Sequence, residues 1–249
     1  MGTKGMRQLK NPNQLQLSEL ATNKVFIGYD VRSDIPWQVC EHSIKRFNNN
    51  IDVQPLAQKD LRERKLYWRD EDKLASTEFT FTRFLVPALM NYNGWALFCD
   101  DDIIFLEDVQ NLFDLADNKY AVMCVQHDHN PSPGMKMDGR VQTQYPRKNW
   151  SSVVLWNCGH SSNQKITVDL INNPDTTGKY LHRFSWLKDE EIGKISNEWN
   201  WLVGWYKEPQ DGTPKALHYT EGGPWFKNYR DCEYNQVWKD VLAETMQGK

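Results

Sequence analysis

The stretch WALFCDDDIIFLEDV, residues 95–109, sets three consecutive carboxylates, Asp100, Asp101 and Asp102, between the apolar runs Trp95 to Cys99 and Ile103 to Leu106. Apolar flanks of this kind read as a buried strand with the acids at its carboxyl end. In open α/β sheets that is the end at which loops converge and ligands bind. Three adjacent acids repel one another and burial adds to the cost, so a compensating cation is the economical partner. An extended backbone points Asp100 and Asp102 to one side and Asp101 to the other. Two carboxylates then share one divalent ion, magnesium or manganese, whose coordination phosphate oxygens and water complete. A solvated acidic turn is the competing reading of these residues taken alone.

Working outward, strand and helix signals alternate. KVFIGYD (24–30) reads as a strand, SDIPWQVCEHSIKRF as a helix and IDVQPLA (51–57) as a second strand. STEFTFTRFLVPALMNY (76–92) reads as a helix with Ser76 as N-cap and Glu78 in its first turn. Beyond the acids, VQNLFDLAD suggests a short helix, YAVMCVQHD (120–128) and WSSVVLWNCG (150–159) strands, and SNQKITVDLINN a helix. DEEIGKI opens a further short helix, and WNWLVGWY and PKALHYT are late strands. The alternation predicts one α/β/α sandwich with a central, mostly parallel sheet over residues 23–249. The polar, Gln/Asn-rich residues 1–22 are expected to form a flexible tail.

A formal net charge of -3 gives no global basic field of the kind that draws a protein to nucleic acid or an anionic membrane. Five cysteines, odd in number and without a C-x-x-C pair, suggest neither a disulfide framework nor a zinc site. No apolar run is long enough to span a membrane, and the amino terminus lacks the apolar core of a secretory signal. A cytoplasmic protein is expected, at most peripheral to a membrane and without integral membrane association. Residues 129–149 are too long and too rich in Gly and Pro for a plain connection, which marks a candidate functional loop. Next to it, His127, Asp128 and His129 form a weak second metal candidate, read more readily as core or loop histidines. Five tryptophans, Trp186, Trp199, Trp201, Trp205 and Trp225, crowd the last third, where aromatic faces suit sugar rings or simple packing.

The motifs FIGYD, STEFTFTRF, FCDDD, KMDG, YPRKNWSS, DEEIG, EWNWLVGWY and HYTEGGPWF occur in this order. Over residues 24–238 the chain resembles nucleotide-sugar glycosyltransferases of GT-A fold, most closely the family 8 type and within it a bacterial and phage branch. The resemblance implies a UDP-sugar donor and a manganese or magnesium ion. FCDDD resembles the D-x-D motif, making Asp100 and Asp102 metal ligands, with Asp100 also near the donor and Asp101 the more replaceable middle residue. ALHYTEGGPW resembles the late histidine motif, which makes His218 the third ligand and puts Gly222 and Gly223 beside the donor. VFIGYD implies that Gly28, Tyr29 and Asp30 line the nucleotide, and FTFTRF that Arg83 reaches the diphosphate or sugar. WSSVVLWN implies Ser151 and Ser152 beside the donor sugar; DEEIG implies Asp189 on the sugar hydroxyls and Glu190 at the reacting face. Two departures stand out. The family's usual lysine before the closing Pro-Trp is Gly223 here, leaving Lys227 or Arg147 to substitute, and Glu190 stands where the family has Gln.

The resemblance thus implies metal-dependent, retaining transfer of a glucose- or galactose-type sugar to an acceptor hydroxyl, in a surface glycan or lipopolysaccharide. The metal neutralises the departing UDP, and Arg83 and His218 support the same leaving group. Retention is expected by front-face attack, with a covalent intermediate on Glu190 as the lesser route. Three alternatives stay open. The mixed basic and aromatic loop with Lys136, Arg140, Tyr145, Arg147, Lys148 and Trp150 suits hydroxymethylated DNA as acceptor, although an ordinary solvated loop that closes over the donor phosphates is the favoured reading of it. A nucleotidyltransferase shares the carboxylates and metal but lacks here a Gly-rich loop after the first strand. A catalytically inactive sugar-binding module has no need of the acids and His218 together.

Overall fold

A computed structural model describes residues 23–70, 75–128, 134–135, 141–142, 147–207 and 213–247. The expected tail, residues 1–22, lies outside the described residues, as do His129, Lys136, Arg140 and Tyr145. The chain runs β1 (Lys24–Gly28), α1 (Asp34–Lys45), β2 (Asp52–Leu56), α2 (Gln58–Glu63), α3 (Val86–Leu89), β3 (Trp95–Cys99) and β4 (Ile103–Phe105). It continues through α4 (Gln110–Phe113), β5 (Val122–Val125), β6 (Gly134–Met135), β7 (Val141–Gln142), β8 (Val153–Asn157), α5 (Val168–Asn172) and α6 (Gly178–His182). The last elements are β9 (Ile192–Ile195), β10 (Trp201–Leu202), β11 (Ala216–His218) and α7 (Asn235–Gln247).

Six strands form the central sheet in the order β2-β1-β3-β8-β5-β9. β1 pairs in parallel with β2 and β3, and β5 with β9; β8 alone runs antiparallel to its neighbours β3 and β5. This is the mixed, mostly parallel sheet expected. Alternation along the strands divides the core: Phe26, Phe98 and Trp156 pack on one face, and Val25, Ile27, Leu97 and Leu155 on the other. Because β8 is reversed, its first residue, Val153, lies opposite Cys99, the last residue of β3. The residues that lead into β8 therefore sit where β1 and β3 deliver their carboxyl ends.

The acidic triplet is not one extended strand. β3 stops at Cys99, the chain turns through Asp100–Asp102, and β4 leaves into a second sheet, β10-β11-β4. The parity argument for Asp100 and Asp102 is thus corrected: a turn, not a pleat, brings them together. α1 secures the change of sheet, since Ser43 Oγ accepts a 3.0 Å hydrogen bond from the Phe105 amide. Beneath the turn, Cys40 and Cys99 are buried with their sulfurs 3.9 Å apart.

Three element expectations are also corrected. Residues 76–92 form a 3-10 turn (Thr82–Leu85) and the four-residue α3 rather than one helix. Its Phe79, Phe81 and Phe84 are all buried, a requirement on three directions that a single helical stripe does not meet, and Pro87 opens α3. Residues 162–173 divide at Ile166 into a 3-10 turn and α5, because the Thr167 side chain caps α5 by accepting from the Leu170 amide. Residues 189–195 are a 3-10 turn followed by edge strand β9, not a helix. α7 went unpredicted, although Trp238, Val241 and Thr245 follow helical spacing and are buried. No described helix is long and apolar enough to cross a membrane.

Candidate metal and donor site

β11 pairs antiparallel with β4, which sets His218 opposite Ile103 and makes the Tyr219 amide donate to the Asp102 carbonyl at 3.0 Å. Register alone thus carries His218 to the acidic turn across more than a hundred residues of sequence. His218 Nε2 lies 3.3 Å from Asp102 Oδ1. One ligand atom each from Asp100, Asp102 and His218 all fall within 4.8 Å of one another.

The tautomer of His218 follows from a chain of hydrogen bonds. Ser152 Oγ donates to the Asn149 carbonyl at 2.7 Å, so that hydroxyl accepts from Asn200 Nδ2 at 2.8 Å. Asn200 Oδ1 therefore faces His218 Nδ1 at 2.8 Å and accepts a hydrogen bond from it. Nε2 is then the atom that His218 turns toward Asp102, the position from which an imidazole ligates a cation shared with that carboxylate. Two carboxylates with an oriented imidazole fit a divalent ion, and Asn200 is the outer partner that such a histidine requires.

Around this cluster lies a cavity of about 370 Å³, within the ~300–1,000 Å³ usual for small-ligand sites. Asp100, Asp101, Asp102 and His218 line it, with Asp30 from the end of β1, Arg83 from the 3-10 turn Thr82–Leu85, and Ser151, Ser152 and Gly222 on other walls. Arg83 Nη1 bridges Asp100 Oδ1 at 2.7 Å and the Ser151 carbonyl at 2.9 Å, while its guanidinium packs between the Phe79 and Phe98 rings. Asp30 is clamped by the Arg32 side chain and by the amides of Arg32 and Glu78. Burial opposes its ionisation, but these hydrogen bonds, led by the Arg32 side chain, prevail and hold its carboxyl below the usual range. Asp101 is buried and accepts from Ser33 Oγ. Burial first, and then the Asp102 charge, push its carboxyl well above the usual range.

The remaining sequence candidates sit elsewhere. Gly28 lies behind the wall, where a Cβ would come within 2.4 Å of the Phe79 ring. Tyr29 donates to Asp34 and packs against Trp37. Gly223 underlies the Trp225 ring, and Lys227 is exposed on a 3-10 turn outside the cavity. Asp189 and Glu190 are not brought into the cavity; their side chains are 88% and 73% exposed. Asp189 instead anchors Arg147, whose Nη1 also donates to the Arg183 carbonyl at 2.6 Å. His127 bonds Tyr206 and joins no metal-holding group among the described residues.

Asn200, Phe226 and His182 went unassigned in the sequence. Asn200 and Phe226 fall inside recognised motifs, but nothing in their spacing marks a role; Lys148 and Trp225, read from the sequence as part of a DNA-suited loop and as a sugar-facing or packing ring, also line the cavity. His182 has no signal at all, a lone histidine in α6. Its Nδ1 meets Ser151 Oγ at 2.7 Å, and burial, then the Arg83 charge, depress its pKa to about 3, so the ring is neutral.

No protein-family model matches the sequence. The architecture is that of GT-A glycosyltransferases. It is similar to the glycosyltransferase GlyE of Streptococcus pneumoniae TIGR4, with TM-score 0.61 and 17% identity over 89% of this chain and 60% of that one. It is similar also to the bifunctional glycosyltransferase WbbM, with TM-score 0.63 and 15% identity over 89% of this chain and 50% of that one. The galactosyltransferase LgtC, in complex with donor and acceptor sugar analogues, gives TM-score 0.52 and 10% identity over 89% of this chain and 95% of that one. This chain thus spans only about 60% and half of the GlyE and WbbM chains, and at such identities the likeness concerns the fold. The chain belongs to the family of Protein CDI of Arabidopsis thaliana, to which it is 51% identical over 231 residues, 91% of this chain and 88% of that protein. That relative comes from a plant, and none of these likenesses supports the particular bacterial and phage branch expected from the motifs.

Proposed function

We propose that the protein is a metal-dependent glycosyltransferase of family 8 type that moves a hexose from a UDP-sugar to an acceptor hydroxyl of a glycan, with retention. The observation that carries this reading is the Asp100–Asp102–His218 cluster at the strand ends of a GT-A sheet, beside a cavity of small-ligand size. When bound there, Mn²⁺ or Mg²⁺ supplies neutralisation of the departing diphosphate. The chain's own residues do the rest. Asn200 fixes the imidazole of His218, Arg83 fixes Asp100, and Asp30 with Arg32 offers polar groups on the β1 side of the cavity. Ser151, hydrogen-bonded to the neutral His182 ring, lines the wall against which the sugar would lie. Front-face attack suits a site whose cavity holds neither Asp189 nor Glu190, and no step is assigned to that pair.

Nothing observed favours the alternatives. Of the basic loop offered to DNA, Arg147 is tied to Asp189 and Lys148 is buried, so neither tracks along an exposed surface. The test is mass spectrometry of products after incubation with Mn²⁺ and a panel of UDP-sugars, without and then with glycan acceptors. Release of UDP that stops with EDTA and returns with Mn²⁺ is expected; release from no UDP-sugar refutes the reading.

A further inference from the structure

Ser151 is buried in the cavity wall, and its hydroxyl meets a residue that belongs to no motif. His182 Nδ1, at the end of α6, lies 2.7 Å from Ser151 Oγ. Burial and the Arg83 charge keep the ring neutral, and a hydrogen bond with the Thr80 backbone acts against them. A bond that favours the protonated ring runs from a ring N–H to a carbonyl oxygen; with Nδ1 turned to Ser151, the donor to Thr80 is Nε2. A neutral imidazole carries one proton, so Nδ1 offers a lone pair and Ser151 Oγ donates to it. Both partners are held in place. Arg83 Nη1 fixes the Ser151 carbonyl at 2.9 Å, and the Phe84 ring packs edge-on to the imidazole with centroids 5.2 Å apart. A serine donating to an imidazole is also how an activated nucleophile is built. Here the imidazole resists protonation down to about 3, far from the range in which a general base works, so it holds the hydroxyl proton without removing it.

What is left toward the cavity is an oxygen with lone pairs and no proton to give. Phosphate and carbonyl oxygens also bring only lone pairs and gain nothing from such a group, whereas a ligand hydroxyl brings the proton it lacks. We infer that His182 is a positioning residue: by drawing the Ser151 proton into the wall, it makes Ser151 Oγ an acceptor for a hydroxyl of the transferred sugar and not a donor to the diphosphate. The inference rests on the function proposed above and deepens it. Motif resemblance puts Ser151 beside the sugar but is silent on His182 and on the direction in which that hydroxyl bonds.

Calorimetric titration of the full chain in Mn²⁺ with UDP-glucose, UDP-galactose and UDP tests this. His182→Leu leaves the hydroxyl proton without its acceptor; it is expected to weaken whichever UDP-sugar the parent binds about three- to tenfold, the worth of one neutral hydrogen bond, and to leave UDP unchanged. Ser151→Ala is expected to do the same. The double variant is expected to lose no more than Ser151→Ala alone, because His182 acts only through that hydroxyl, whereas a general disturbance of the wall adds to the loss. Unchanged UDP-sugar affinity in either single variant, equal weakening of UDP and UDP-sugar, or additive losses in the double variant each overturn the assignment. Should His182→Leu lose its thermal unfolding transition, Ser151→Ala decides: weakening confined to the UDP-sugar supports the role, and unchanged affinity or equal weakening overturns it. A parent that binds neither UDP-sugar refutes the proposed function itself, an outcome distinct from a parent whose UDP-sugar affinity the variants match.

Discussion

Asp102 and His218 were legible as residues because carboxylates between apolar runs and a late histidine in a recognised motif are visible in one dimension. Asn200 was not, because its task is to accept the Nδ1 proton of a histidine brought alongside it only when β10 and β11 pair. Removing that acceptor is expected to matter. Asn200→Ala lowers Mn²⁺ affinity about 10- to 100-fold, as loss of an outer hydrogen bond to a metal-binding histidine does, and calorimetry with Mn²⁺ alone reads it. Asp101 carries the opposite lesson. It was expected to tolerate replacement, yet it is buried and accepts a hydrogen bond from Ser33. Asp101→Asn keeps an acceptor of the same shape and is expected to retain metal binding, whereas Asp102→Asn abolishes it. Asp101→Ala leaves the Ser33 hydroxyl without that acceptor and is expected to lower the unfolding midpoint, at a cost of about 1–3 kcal/mol.

At the scale of elements, the strands of the central sheet follow from short runs of β-branched and aromatic residues, and their positions were read to within a few residues. What failed was length. Residues 76–92 carry helix formers in their second half, but Phe79, Phe81 and Phe84 each answer to a different neighbour, and tertiary packing overrode local propensity. Phe79 illustrates the dependence. It covers Arg83 on one side and meets Gly28 on the other, where a Cβ would approach to 2.4 Å. Gly28→Ala therefore displaces the ring that steadies Arg83 and is expected to destabilise the fold by about 1–3 kcal/mol, measured by urea denaturation. The reversal of β8 had no signature in the sequence either, since a buried strand reads the same in both directions. Yet it delivers Ser151 and Ser152 to the cavity.

For the whole molecule, acid sensitivity has an identifiable contributor. In the unfolded chain His182 takes up a proton below about 6.5, whereas in the folded cavity wall it resists protonation down to about 3. Between those values the unfolded state binds more protons, so this group stabilises the fold fully above pH 6.5 and progressively less as the pH falls. The loss reaches at most about 1.4 kcal/mol per pH unit. His182→Gln, compared with the parent by chemical denaturation between pH 4 and pH 6.5, is expected to flatten that dependence.

The run from His218 through Asn200 and Ser152 ends on the Asn149 carbonyl, in the turn that leads into β8. One ordered strip of polar groups thus ties the β11 end of the candidate site to that turn. Whatever factor the ion contributes to the nucleotide's affinity, the nucleotide must return to the ion's, because a thermodynamic cycle closes in both directions. Under the proposed function, release of UDP and loosening of the ion would then be one reciprocal event.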